Sequence, residues 1–359
     1  MRILFVSTLS YPPQDAGGSK SSTHELCLKM QEKGHHVALL CGLGNEGIFG
    51  LWTRFRRKLS RKYNYPMDRF LHYPAYRGWF EAQEGIPSEV IERFKPDIAV
   101  ADAGQTILMV KALVEKKIPT ICYLRDIEFH KMGAEPFEHP LISYIANSCF
   151  TASVLKKKFG LYSSVIPPLV TPERYQVSTT NRKSVLHINP HPIKGIDITM
   201  QLARLRPDIP FTIIESWDLN NEILSRYREM ANQLQNVVWK ERSHDMRQIY
   251  QHTHIILAPS MWEEAWGRIA TEGHVNGIPV IASTRGGLPE SVGPGGILVD
   301  PDSPIDNWLS ALTTLWDNTE EYKKVSMAAR QYSKRKEIQP AFLLNKFESV
   351  LSKHIQETG

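Results

Sequence analysis

The residues APSMWEEAWGRIATEGHVNGIPVIASTRGG, numbered 258–287, carry the most informative pattern in the chain. They predict the end of a strand, a loop, a helix, a glycine turn and a second strand. Gly267 opens the predicted helix, and Asn276-Gly277 closes it with a pair suited to a left-handed cap. The unpaired N–H groups at such a helix start, beside a glycine that permits close approach, favour the binding of a phosphate.

Two glutamates lie close to the start of this predicted helix. Glu264 is in the loop before it and Glu272 is within it. This spacing is too wide for them to pair as neighbours on one helical face. It does let each bind a different part of one elongated ligand whose phosphates lie over the helix start. An isolated pair of this kind would be two solvated glutamates, but in this strand–loop–helix context we interpret them as ligand-binding residues.

Short apolar runs recur on both sides of this stretch, with helix-like segments between them. Because the runs lack clean alternation and their connections are helical, they predict parallel strands buried on both faces. The first series is Ile3–Ser7, His36–Cys41, Ile98–Ala101, Thr120–Tyr123, Leu141–Ala146 and Ser164–Ile166. The second series is Ser184–Ile188, Phe211–Ile214, Val237–Trp239, His254–Ala258, Pro279–Ala282 and Gly296–Val299.

These two series predict an α/β fold of two Rossmann-like domains, residues 1–170 and 171–340, joined by the polar segment Thr171–Arg182. A last helix, in residues 341–359, is expected to pack on one of the domains, and packing back on the N-terminal domain is one option. Ligands of doubly wound sheets bind at the carboxyl ends of the strands. We therefore expect the two domains to face each other across a ligand-binding cleft.

Composition excludes several classes of protein. The 359 residues include 43 basic and 38 acidic side chains, and a net charge of +5 does not predict a nucleic-acid partner. The four cysteines are far apart with no C-x-x-C pair, which indicates a reduced, cytoplasmic setting. No apolar run is long enough for a membrane span, and the N-terminus does not read as a signal peptide.

One segment departs from this average composition. Leu51–Tyr65 contains six basic residues, and four apolar residues recur at helical spacing: Leu51, Trp52, Phe55 and Leu59. The basic residues are Arg54, Arg56, Arg57, Lys58, Arg61 and Lys62. Such a helix either lies on an anionic membrane surface or packs its apolar face on its own domain. The first alternative predicts peripheral contact with a membrane or a lipid-linked acceptor.

The stretch 258–287 resembles the retaining glycosyltransferases of family 4, which have the GT-B fold of two facing Rossmann-like domains. Weaker matches in the same order cover most of the chain. They are Gly17-Gly18 after the first strand, Ile145–Ser148, Val165–Pro168, Lys194-Gly195, and Gly286–Glu290 ahead of Gly296–Asp300.

The resemblance implies roles for individual residues. Glu264 would contact the hydroxyls of the donor sugar, and Glu272 would hold the nucleotide ribose. Lys194 would neutralise the donor diphosphate as it departs. Backbone amides at Gly17 and Gly18 would approach a phosphate or the acceptor, since glycine permits conformations that other residues resist. The donor site would also include Trp266, Gly267 and Ile269 around the helix start.

Two positions depart from the family pattern. Many relatives carry an arginine five residues before the lysine, where this chain has Asn189. Arg268 is the nearest cation that could replace it, or it could instead pair with Glu263 or Glu272. Relatives often have a His-Asp pair where this chain has Arg125-Asp126, and an arginine does not shuttle protons. Asp126 would then orient Arg125 or accept the proton of the acceptor hydroxyl.

The resemblance implies a metal-independent enzyme that moves a sugar from a UDP- or GDP-sugar to an acceptor hydroxyl with retention. The acceptor would be a glycan, a lipid-linked molecule or a small molecule. Two alternatives remain: a nucleotide-sugar isomerase of the same fold, and a nucleotide-sugar binding protein without activity. The D-x-D sequence Asp300–Asp302 predicts a tight turn or, less often, a divalent-ion site.

Overall fold

A computed structural model describes residues 1–15, 17–44, 47–59, 63–79, 85–217, 219–243 and 245–358. The chain divides into two compact units. Unit 1 comprises Met1–Leu169 with Pro340–Gly359, and unit 2 comprises Val170–Gln339.

The described residues of unit 1 form an eight-stranded sheet in the order β3-β4-β2-β1-β5-β6-β7-β8. Its strands are β1 (Arg2–Ser10), β2 (His36–Gly42), β3 (Met67–Asp68), β4 (Ala75–Gly78), β5 (Ile98–Ala103), β6 (Thr120–Leu124), β7 (Ile142–Ala146) and β8 (Ser163–Val165). Its first helices are α1 (Gly18–Glu32), α2 (Gly47–Leu59), α3 (Ser88–Phe94), α4 (Thr106–Glu115) and α5 (Cys149–Phe159).

Unit 2 has a six-stranded sheet in the order β11-β10-β9-β12-β13-β14. Its strands are β9 (Ser184–Ile188), β10 (Phe211–Ile214), β11 (Val237–Lys240), β12 (Thr253–Ala258), β13 (Val280–Ser283) and β14 (Gly296–Val299). Its helices are α6 (Ile196–Leu205), α7 (Asn221–Asn232), α8 (Arg247–Tyr250), α9 (Arg268–Val275), α10 (Leu288–Val292), α11 (Ile305–Asp317) and α12 (Thr319–Tyr332).

The central strands of both sheets are buried on their two faces, as the uninterrupted apolar runs predict. In β1, Leu4 and Val6 pack into one apolar cluster, whereas Ile3 and Phe5 pack into another on the opposite face. Because side chains alternate along the strand, they contribute to two separate apolar cores, one on each face of the sheet. The fold class, two Rossmann-like α/β units with parallel sheets, is confirmed.

One edge of unit 1 differs from the prediction. The short strand β3 pairs antiparallel with β4, through Met67–Tyr76 and Asp68–Ala75, so the sheet is not wholly parallel. Neither strand was expected, because β3 has only two residues and β4 contains an arginine, so neither forms an apolar run. The antiparallel pair lies at the edge, where it does not disturb the parallel core.

The last helix, α13 (Pro340–Thr358), packs within unit 1. Leu343, Phe347 and Leu351 enter the apolar cluster that contains Phe5, and the rings of Phe347 and Phe5 stack at a centroid distance of 6.3 Å. His354 Nε2 lies 3.0 Å from the carbonyl oxygen of Leu141 at the start of β7. The helix therefore completes one face of the unit 1 core.

Each sheet has one point where the strand order reverses. In unit 1 the chain passes from β1 to β2 on one side and later to β5 on the other. In unit 2 the reversal lies between β9 and β12. Ligands of open α/β sheets bind in the crevice that opens at such a point, at the carboxyl ends of the strands.

Candidate active site

The crevice of unit 2 contains an ion pair that spans the reversal point. Lys194 follows β9, and its Nζ lies 2.6 Å from Glu264 Oε1 on the loop after β12. Ser260 Oγ donates to the same carboxylate oxygen at 3.0 Å. The Lys194 ammonium also lies 4.5 Å from the centre of the Trp217 ring. The two charged side chains are 13% and 20% exposed, so a ligand can reach both.

A glycine holds these two loops together. Gly195 has a φ of 77°, in the left-handed region, and a Cβ at this position would stand 1.9 Å from the carbonyl oxygen of Pro259. Only glycine satisfies both the backbone conformation and this close approach. The position of Lys194 relative to the loop after β12 is thereby fixed.

The second glutamate is held by two partners within unit 2. Arg268 Nε lies 2.9 Å from Glu272 Oε1, and Tyr250 O–H donates to Oε2 at 2.7 Å. Burial, with the adjacent Glu272 charge, raises the pKa of Tyr250 well above its ordinary value, so the hydroxyl remains a donor. Arg268 also donates to the hydroxyl of Tyr175. Of the alternatives for Arg268, the structure shows the pair with Glu272.

The Gly286-Gly287 sequence fixes the backbone of Glu264. The Gly287 N–H donates to the Glu264 carbonyl oxygen at 2.6 Å. Gly286 has a φ of 62°, and a Cβ there would stand 2.1 Å from that oxygen. This contact explains why a Gly-Gly pair follows β13 in the sequence.

The start of α9 has the conformation that the sequence predicts. Gly267 is its N-cap with a φ of 86°. Trp266 is buried, and its Nε1–H donates to Thr271 Oγ1 at 3.0 Å. Ile269 packs against the apolar cluster beneath the helix. Trp266 and Ile269 therefore anchor the helix start through their side chains.

Asn189 is held in an unusual conformation at the end of β9. Its φ is 70°, its side chain is buried, and its N–H donates to the Ile214 carbonyl oxygen at 2.8 Å. Among the described residues, none donates a hydrogen bond to its buried Oδ1. Asn189 lies five residues before Lys194, where the family resemblance implies an arginine.

In unit 1, the predicted role of two glycines receives no conformational support. Gly17, the N-cap of α1, has a φ of 165° and a ψ of 167°, an extended conformation open to any residue. Gly18 is the first residue of the helix, and a Cβ at Gly17 would meet no atom within 4 Å. The expectation that Gly17 adopts a conformation that other residues resist is therefore wrong.

Arg125 and Asp126 lie at the carboxyl end of β6 but do not act as a pair. Asp126 Oδ1 accepts the N–H groups of Ile127 and Glu128, at 2.7 and 3.1 Å, and caps its own loop. Burial raises the pKa of Asp126 despite these bonds. The carboxylate near Arg125 is Asp102 on β5, with Nε and Oδ2 3.4 Å apart. The expectation that Asp126 orients Arg125 is wrong.

Sequence reasoning did not find four residues that shape these clusters: Asp102, Tyr175, Tyr250 and Ser260. Asp102 lies inside the apolar strand β5, and the tyrosines contact Arg268 and Glu272 only through the tertiary fold. Ser260 had a usable signal, because it lies two residues after β12 at the strand's carboxyl end.

The described residues contain no group of three or more His, Cys, Asp or Glu side chains placed to share a metal ion. Within the D-x-D sequence, Asp300 Oδ1 accepts the N–H of Asp302 at 3.0 Å. Asp302 pairs with Arg285 at 2.6 Å. Of the two alternatives for this sequence, a tight turn and a divalent-ion site, these contacts favour the tight turn.

Unit 2 is similar in sequence to known proteins. Residues 184–332 match the family model described as "Glycosyl transferases group 1". The matched residues make up most of unit 2. The chain is 34% identical over 93 residues to the D-inositol 3-phosphate glycosyltransferase of Corynebacterium kroppenstedtii. That match covers 25% of this chain and 20% of the relative, so the chain spans about a fifth of that relative's length.

Solved structures resemble the chain over nearly its whole length. HepE from Anabaena, solved with UDP and glucose, has a TM-score of 0.76 at 17% identity, covering 98% of this chain and 99% of that one. Sucrose-phosphate synthase from Thermosynechococcus elongatus also has a TM-score of 0.76, at 13% identity, over 98% of this chain and 99% of its own. These likenesses confirm the GT-B fold.

The surface of α2 carries a separate feature. Ile48, Leu51, Phe55 and Leu59 recur along one face of the helix and are 61% to 87% exposed. Trp52 beside them is about half exposed. The alternative in which this face packs on its own domain is therefore wrong for Leu51, Phe55 and Leu59, whereas the Trp52 ring lies 5.8 Å from that of Phe49. Arg61 and Lys62, counted with the basic residues of this segment, lie outside the described ranges.

Proposed function

We propose that the protein is a glycosyltransferase that moves a sugar from a nucleoside diphosphate sugar to an acceptor hydroxyl, with retention and without a metal ion. The observation that supports it best is the Lys194–Glu264 pair across the reversal point of unit 2. It lies inside the residues that match the glycosyl transferases group 1 family and joins a cation for a diphosphate to a carboxylate for hydroxyl groups.

The donor would bind in unit 2 through three side chains. Lys194 would bind the diphosphate and stabilise the charge that develops as it leaves. Glu264 would accept hydrogen bonds from sugar hydroxyls. Glu272, held by Tyr250 and Arg268, would accept those of the ribose. Because fixed partners hold both carboxylates, little reorganisation is needed when the donor binds.

The proposed reaction is a front-face displacement. The bond from the anomeric carbon to the phosphate oxygen breaks, and a bond to the acceptor oxygen forms on the same face. The departing phosphate takes the proton of the acceptor hydroxyl. We infer uridine diphosphate as the nucleotide, with guanosine diphosphate as the alternative, because HepE was solved with UDP and with UDP-glucose.

Unit 1 would bind the acceptor, and α2 would contact a membrane surface or a lipid-linked acceptor. The exposed apolar face supports this, since Arg54, Arg56, Arg57 and Lys58 lie on the same helix. Arg56 stacks on Trp52, with its guanidinium carbon 4.7 Å from the ring centre. An apolar stripe flanked by cations fits an interface of acyl chains and anionic head groups. Within the described part of the chain, no helix is long and apolar enough to span a membrane.

Nucleotide binding to the full-length protein tests the donor site. Isothermal titration calorimetry with UDP, GDP, ADP and TDP is expected to show binding of one nucleotide, and Glu272→Gln to weaken it about tenfold or more. Glu263→Gln is the matched control, because Glu263 is adjacent to Glu264 in sequence but 43% exposed. If the folded wild type binds no nucleotide, the proposed donor site is contradicted. If Glu272→Gln binds the nucleotide as tightly as the wild type, the proposed role of Glu272 is contradicted.

Product analysis tests the chemistry. The anomeric configuration of the product, read by proton NMR against that of the donor, is expected to be the same. Transfer is expected to persist in EDTA. A product of opposite configuration would refute retention, and activity lost in EDTA and restored by a divalent ion would refute metal independence. Donor turnover without any acceptor product would favour the isomerase.

Vesicle flotation tests the membrane contact. The wild type is expected to float with vesicles that contain phosphatidylglycerol but not with pure phosphatidylcholine. Leu51→Ser/Phe55→Ser is expected to lose this binding. Met327→Ser is a matched control, since Met327 is a similarly exposed apolar residue in unit 2. Equal flotation by the Leu51→Ser/Phe55→Ser variant would contradict a role for this face.

A further inference from the structure

A buried arginine in unit 1 has almost no polar partners. The Arg125 side chain is 5% exposed, and its three guanidinium nitrogens are buried with no hydrogen-bond partner in the described part of the chain. Its nearest carboxylate oxygen, Asp102 Oδ2, is 3.4 Å from Nε. The Tyr123 ring supplies a cation–π contact at 4.0 Å. These contacts leave NH1 and NH2 without acceptors.

Asp102 itself is engaged elsewhere. Thr23 Oγ1 donates to Oδ2, and the Tyr11 hydroxyl lies 3.4 Å from Oδ1. Burial raises the pKa of Asp102, and Arg125 opposes that shift only in part. The carboxylate therefore serves Arg125 as a neighbouring charge without forming a two-point ion pair.

The position of Arg125 is the one where a ligand is expected. Tyr11, Asp102 and Arg125 come from the carboxyl ends of β1, β5 and β6, which are adjacent in the sheet. The strand order of unit 1 reverses between β1 and β5. The cluster thus lies at the edge where doubly wound sheets bind ligands.

Arg77 shows how unit 1 treats an arginine that serves the fold. It is fully buried, yet its Nε donates to Asp68 at 2.8 Å, its NH2 to the Pro12 carbonyl oxygen at 2.7 Å and its NH1 to that of Tyr11 at 3.2 Å. Buried guanidinium groups without such partners are costly to keep. A buried guanidinium group without partners is most often found where a bound ligand supplies those partners.

We propose that Arg125 binds a carboxylate or phosphate group carried by a sugar substrate. The planar guanidinium presents two parallel N–H donors that match either oxyanion. The two unpartnered terminal nitrogens supply those donors. The oxyanion belongs to the acceptor or to the transferred sugar, and the inference rests on the glycosyltransferase function proposed above.

Calorimetric binding to the full-length protein tests the proposal with two pairs of probes. UDP-glucuronate is compared with UDP-glucose for the donor, and glucose 6-phosphate with glucose for the acceptor. In one pair, the wild type is expected to bind the charged member about tenfold more tightly. Arg125→Gln is expected to abolish that difference and to leave the neutral member unchanged. Arg93→Gln, the matched control at a unit 1 arginine paired with Glu89, is expected to preserve it.

Three outcomes would overturn the proposal. The wild type could show no preference in either pair, or Arg125→Gln could retain the preference. Arg125→Gln could also weaken UDP alone as strongly as UDP-glucuronate, in which case the guanidinium contacts the diphosphate. The Glu272-dependent binding of UDP is measured separately, so failure here is distinguishable from failure of the proposed function.

Thermal unfolding separates this role from a structural one. Asp102→Asn/Arg125→Gln removes both charges; asparagine keeps the shape of aspartate, and glutamine keeps the first part of the arginine side chain. Because Arg125 has so few partners without ligand, the Tm of this double variant is expected to equal or exceed that of the wild type. A large fall in Tm would show that the pair serves the fold and would contradict a ligand-binding role.

Discussion

The two reversal points of this molecule carry the same kinds of residue in different states. In unit 2, Lys194 and Arg268 each lie within 2.9 Å of a glutamate, and hydroxyl groups hold the carboxylates in place. In unit 1, Arg125 has a carboxylate 3.4 Å from Nε and donates no hydrogen bond to the described residues. A site whose charges are neutralised internally is organised before the ligand arrives. A site with an unpartnered cation is completed by the ligand.

The largest effect is expected from the cation of unit 2. Lys194→Gln is expected to lower kcat about a hundredfold or more, because it removes charge stabilisation from the leaving diphosphate. Stability is expected to change little, since Glu264 keeps its bond from Ser260 and is 20% exposed. Steady-state transfer rates and Tm measure the two effects. A kcat within a few-fold of the wild type would place the leaving-group contact elsewhere.

The groups named below are expected to make the stability of the two units depend on pH in opposite directions. Burial lowers the pKa of His187 and of His274, both in unit 2, to about 4. The unfolded chain takes up their protons below about pH 6.5, so stability is lost as the pH falls, by about 2 kcal/mol for each histidine near pH 5. Burial raises the pKa of Asp102 in unit 1, and this group has the opposite sign, destabilising as the pH rises.

Urea unfolding at pH 7.5 and pH 5 measures this difference. Six of the eight tryptophans lie in unit 2, so tryptophan fluorescence reports mainly on that unit. Its midpoint is expected to fall at pH 5, and His187→Gln is expected to reduce the fall. The same midpoint at both pH values would show that these histidines protonate freely in the folded protein.

The smallest effect is expected at Tyr250. Tyr250→Phe removes one hydrogen bond to Glu272 while Arg268 remains in place. Affinity for the nucleotide is expected to fall about five- to tenfold, since Glu272 loses part of its orientation. Calorimetry measures the change, and Tyr322→Phe, at another hydrogen-bonded tyrosine of unit 2, serves as control. An unchanged affinity would mean that Arg268 alone positions the carboxylate.

Much of the fold was predictable because strands buried on both faces leave an unmistakable apolar run. Ser184–Ile188, Phe211–Ile214 and Gly296–Val299 begin and end where the sequence predicts. The pairing of Lys194 with Glu264 was not predictable, since the two are 70 residues apart and meet only through the sheet order. The sequence placed a basic amphipathic segment at α2 but left both alternatives open, because burial of its apolar face depends on what the fold puts beside it.

Helix α13 has a consequence for how the chain folds as it is made. It supplies Phe347 and three leucines to the core that contains Phe5 of β1, yet all of unit 2 is translated before it. At ~5–20 residues per second, the ribosome needs roughly 10–30 s to synthesise the intervening domain. During that interval one side of unit 1 exposes an apolar surface, while unit 2 has every strand it requires. Unit 1 thus begins on the ribosome before unit 2 and is completed after it, and chaperones have a defined period in which to bind it.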